Sequence, residues 1–105
     1  MRFGKPRRRS PFVRADEISA HTEWFSRELR YALGVDEISG RHFVSFPVSN
    51  PYADYEEYYE VDDDTYARYL ANPALALPFV QECRKREHDN LLMVRPGRLR
   101  GWAGS

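Results

Sequence analysis

The stretch Asp16-Glu17-Ile18-Ser19-Ala20-His21-Thr22-Glu23-Trp24-Phe25-Ser26-Arg27-Glu28-Leu29-Arg30-Tyr31-Ala32-Leu33-Gly34 decides how this chain is read. Ile18, Phe25, Leu29, Ala32 and Leu33 fall on one side at helical spacing, and Gly34 stands where a left-handed stop would end a helix. Trp24 and Tyr31, seven residues apart, form a flanking line that either widens the buried face or stands exposed beside it. The spacing predicts a helix over 16–33.

Downstream the period changes from helical to alternating. His42 to Val48 sets Val44, Phe46 and Val48 on one face, and Pro47 suggests an edge or strand end. Ser49-Asn50-Pro51 reads as a turn, and Tyr55 to Val61 alternates again, as an antiparallel partner would. Asp62-Asp63-Asp64 supplies an N-cap and a negative first turn for a helix through Tyr66, Tyr69 and Leu70, ended by Asn72-Pro73. A further helix starts at Pro73 or restarts at Pro78, with Phe79, Val80 and Cys83 inward and Arg84-Lys85-Arg86 at its C-terminal dipole. Leu91 to Val94 is a short apolar run able to add a strand. The expected fold is α+β: an N-terminal helix packed on a small antiparallel sheet of two to three strands, with one or two C-terminal helices.

With 105 residues the chain can build one hydrophobic core and not two. The expected division is a flexible basic arm over 1–11, one globular domain over 12–95 and a flexible basic tail over 96–105. Net charge is zero, but it is a sum of opposed parts. Residues 1–14 and 90–105 hold nine basic residues and no acid, whereas all sixteen acids lie in residues 15–89 against seven basic residues. No window approaches the apolar run of about 18 residues that a membrane span needs, and the basic start is not followed by an apolar signal-type stretch. With one cysteine, Cys83, and no intramolecular disulfide possible, the expected location is cytoplasmic.

Tyr52 to Tyr66 combines seven carboxylates with five tyrosines and no basic residue. Carboxylates speed and orient encounter with a cationic protein, while tyrosine rings supply buried anchors. In composition this stretch resembles small bacterial immunity and inhibitor proteins. That resemblance implies a non-catalytic protein-binding module presenting an acidic, tyrosine-rich face to a basic partner such as a nuclease-type toxin. Glu56, Tyr58, Glu60 and Asp63 are the expected contact residues. The alternative is a small nucleic-acid-binding protein that grips phosphate through Arg7, Arg8, Arg9, Arg98 and Arg100, with Trp102 stacking on a base. Catalytic motifs are missing: there is no Gly-x-Ser-x-Gly elbow, phosphate-cradling loop or His-Glu-x-x-His helix. His21, His42, His88 and Cys83 lack zinc spacing, and the aspartate triplet lacks the alternation of a calcium loop, so neither metal nor cofactor is expected.

Overall fold

A computed structural model of the chain describes residues 18–103. The basic arm read over 1–11, with Arg7, Arg8 and Arg9, lies outside the described residues. Four antiparallel strands come first, β1 (Ala20–Ser26), β2 (Tyr31–Asp36), β3 (His42–Ser49) and β4 (Asp54–Val61), and their order in the sheet follows the chain. Two helices follow, α1 (Asp63–Ala71) and α2 (Leu77–Arg84), separated by a 3-10 turn at Pro73–Ala76.

This corrects the expected N-terminal helix and the count of two to three strands. Of the segment read as a helix over 16–33, the described residues from Ala20 onward form β1, a tight turn and the start of β2. Its helical signature survives only locally, where the Arg30 N–H donates to the Ser26 carbonyl at 2.8 Å in a single helix-like turn. The Ser26 hydroxyl accepts from Leu29 N–H at 3.0 Å, and Arg30 takes a left-handed φ of 60°, which reverses the chain instead of propagating the helix. Pairing with neighbouring strands then outweighs the local period, because Thr22, Trp24, Phe25 and Tyr31 suit a pleated surface. Glu23 is the extra residue of a bulge between the pairs Thr22–Gly34 and Trp24–Leu33.

Gly34 sits inside β2, not at a helix end. A Cβ there would meet the His21 carbonyl of β1 and stand 2.7 Å from the Phe43 ring, so close approach explains the glycine. The β2–β3 turn is closed by Asp36, which is buried. Its carboxylate accepts from Ser39 Oγ at 2.6 Å and from the Ser19 N–H at 2.9 Å. Burial pushes this carboxyl upward, but those hydrogen bonds prevail and hold it below the usual aspartate range.

One face of the sheet carries the core. Leu33, Val44, Phe46, Tyr59 and Val61 point to it, and α1 and α2 close it with Tyr66, Val80 and Cys83. Burial pushes the Cys83 thiol up to about 12. The alternation read in 42–48 and 55–61 corresponds to the paired strands β3 and β4, in register from His42–Val61 to Ser49–Asp54. The Asp62 side chain caps α1 by accepting from the Thr65 N–H at 2.8 Å. Asp62→Ala is expected to lower the urea-unfolding midpoint, and an unchanged midpoint would refute the cap's contribution.

Within the stretch read as a tail, residues 100–102 return to the sheet. Ser49 and Trp102 exchange two backbone hydrogen bonds of 3.0 Å, and the Gly101 N–H donates to the Tyr55 hydroxyl at 2.7 Å. Between them Arg100 enters the interior. It donates from Nε to Glu57 at 2.8 Å and reaches both oxygens of Asp89 at 2.7 and 2.9 Å. The Tyr59 hydroxyl completes the group, donating to Glu57 at 2.8 Å.

Candidate functional site

The sheet's second face carries a trough lined by strand residues and the β1–β2 turn, with no helical residue in its wall. Register alone generates it. Phe25 pairs with Ala32, Ala32 with Ser45 and Ser45 with Tyr58, so one row crosses all four strands with aromatic residues at both ends and small ones between. Strands stand about 4.8 Å apart, which separates the two aromatic walls by about 14 Å at the backbone. The hollow has a volume of about 580 Å³.

The next row, Thr22–Gly34–Phe43–Glu60, supports the first. The Phe43 ring lies over Gly34, is fully buried, and meets the Tyr58 ring edge-on at 4.9 Å. Tyr58 is thereby held as a rigid wall. On the opposite strand Phe25 is 61% exposed, a large apolar side chain left in solvent at the trough's other wall.

Glu56 stands at one mouth beside Tyr58 and Pro47. The Glu56 side chain is exposed, yet the protein packed around its carboxyl raises its pKa above the usual glutamate range, an effect the neighbouring Ser45 hydroxyl only partly offsets. Burial, reinforced by the charge of Glu56, also raises the Tyr58 phenol, which keeps it a neutral donor. Across the same mouth, Arg27 and Arg30 project from the turn.

The four expected contact residues are therefore divided. Glu56 and Tyr58 come together in the trough. Glu60 is ion-paired with Arg41 at 2.7 Å, and Asp63 meets His42 Nδ1 at 2.9 Å beside α1. Much of the remaining acidic, tyrosine-rich stretch serves the fold: Glu57 and Tyr59 belong to the Arg100 group, Tyr66 is buried and donates to Glu23 at 2.5 Å, and Asp62 caps α1. Of the residues expected to bind nucleic acid, Arg100 has its donors engaged by Glu57 and Asp89. Trp102 is exposed on one side, with the Arg86 guanidinium 3.2 Å from its ring centroid, and Arg98 is exposed.

Phe25, Arg27 and Arg30 were missed as site residues because the helical reading turned Phe25 inward. The available signal was the β-branched and aromatic content of Thr22, Trp24 and Phe25, which fits a strand better than a helix. Among the described residues no three His, Cys, Asp or Glu side chains converge to hold a metal ion, and no helix is long and apolar enough to cross a membrane. Comparison with protein-family models, with curated proteins and with solved structures gives no match to this chain.

Proposed function

We propose that the protein is a non-catalytic binding module of inhibitor type, and that it receives a cationic side chain of a basic protein partner between Glu56 and Tyr58. The observation that carries this reading is the state of Glu56. Its carboxylate stands at the solvent-exposed mouth beside the Tyr58 ring and has no ion-pair partner among the described residues, whereas Glu57, Glu60 and Asp63 face basic side chains within the protein. A lysine or arginine entering there would meet the negative charge and the Tyr58 ring together, while apolar contact with Phe25 supplies area.

The test is capture of a basic protein from source-cell extract by the immobilised full-length chain. Tyr58→Ala and Glu56→Lys should each weaken capture roughly 30-fold, the scale of a hot-spot residue, and Asp63→Lys should leave it unchanged. Capture indifferent to both trough substitutions would refute the site.

Binding should also depend on pH with a definite sign. The ionised Glu56 is the binding form and its pKa is raised, so affinity falls as pH drops through that raised value. Its contribution to stability runs the other way. The unfolded chain releases this proton at lower pH, so ionising Glu56 costs folding stability as pH rises through the same window. An affinity constant down to the pH of an ordinary exposed glutamate would exclude Glu56 as the contact.

A further inference from the structure

Resting on that reading of the trough, we infer that the partner segment is dipolar: beside the cation taken by Glu56 and Tyr58, it presents a carboxylate to Arg27 and Arg30. The β1–β2 turn holds the opposite charge to Glu56. Continuing the register two places from Ala32–Ser45 brings Arg30 level with Pro47, whose partner on β4 is Glu56. Two strand spacings then separate Arg30 from Glu56, about 10 Å between backbones, so the charges flank one mouth of the trough.

The positive side is uncompensated. Among the described residues neither Arg27 nor Arg30 has an ion-pair partner, and Glu28, the acid of that turn, is exposed without one. Behind the turn lies a third guanidinium. Arg84 donates only to neutral acceptors, the Leu29 and Arg30 carbonyls at 2.7 and 2.9 Å and the Gln81 side chain at 3.4 Å. Its Nε is buried with no hydrogen-bond partner. Arg84 on α2 and Arg30 on the turn repel one another, and among the described residues the turn's one acid, the exposed Glu28, is paired with neither Arg27 nor Arg30; a carboxylate at the trough mouth would lower that repulsion while accepting from the forked donors of Arg27 and Arg30. A uniformly basic ligand would instead meet like charge at this end.

A phage-displayed library of random linear peptides, selected on the immobilised full-length chain, tests this. Selected peptides should carry both a basic and an acidic residue, and their binding should fall roughly ten-fold on the variant R27E/R30E. Reselection on that variant should replace the acidic residue by a basic one. The turn is held by backbone bonds and by the Ser26 hydroxyl, so the substitutions leave the hairpin in place, which circular dichroism would verify. Peptides that depend on Tyr58 and Glu56 but are uniformly basic, or are indifferent to R27E/R30E, overturn this inference alone. Selection that is unaffected by Tyr58→Ala and Glu56→Lys, or that enriches nothing, overturns the binding site itself and this inference with it.

Discussion

Arg100→Ala is expected to cost about 3–5 kcal/mol of folding stability, a large share of what a domain this size possesses. The loss follows from what remains behind. The Glu57 side chain is 7% exposed and that of Arg100 13%, so truncation leaves a buried carboxylate whose one other side-chain donor among the described residues is the Tyr59 hydroxyl. Asp89, 42% exposed, can return to water and adds less. A urea midpoint shifted at unchanged slope would measure the loss. Adding Glu57→Gln to the variant should recover part of it, because the uncompensated charge is then gone. A loss below about 1 kcal/mol would mean that the pair behaves as a solvated surface bridge.

The same substitution should alter the acid limb of stability. Hydrogen bonds from Arg100 hold the Asp89 carboxyl below the usual aspartate range, so its contribution is present above the unfolded value and lost as pH falls through the lowered one. In the Arg100→Ala chain that part of the acid dependence should vanish. The segment bearing Trp102 should also loosen, since Arg100 adjoins the Ser49–Trp102 bridge.

Gly34→Ala should destabilise by about 1–3 kcal/mol, an overpacking cost in a part of the sheet with no slack. The added methyl would strike the His21 carbonyl on one side and the Phe43 ring on the other. The first is backbone fixed by strand pairing, and the second is a fully buried ring against Tyr58. Gly34 does not have positive φ, so the cost is spatial, not conformational. Combining Gly34→Ala with Phe43→Leu should therefore restore part of the loss, as neighbouring substitutions couple when they share space. Full tolerance of the alanine, or no rescue, would contradict this packing. Because Phe43 supports Tyr58, the single variant should also weaken binding at the trough.

Some of this organisation was legible residue by residue. The β3–β4 hairpin could be read because its two strands alternate and a Ser49-Asn50-Pro51 turn stands between them. Asp62 could be read as a cap because capping joins residues three apart. Half of the trough was legible for the same reason: Glu56 and Tyr58 are two apart on one strand and must share a face. Its other half was hidden. Phe25 reaches that row only through three successive strand pairings, and its helical stripe was a coincidence of spacing around one turn.

The sequence by itself determined the acidic body between basic ends, the period-two strands of residues 42–61 and the start of α1. Each depends on composition or on neighbours a few positions away. Tertiary structure decided that 20–26 pairs with 31–36 as strands, that Gly34 makes room for Phe43, and that Arg100 neutralises a glutamate 43 residues earlier. The physical reason is common to all three. A local turn is worth less than the cross-strand bonds, ring contacts and buried charge pairing that form only when distant segments meet, and those energies leave no period in the chain.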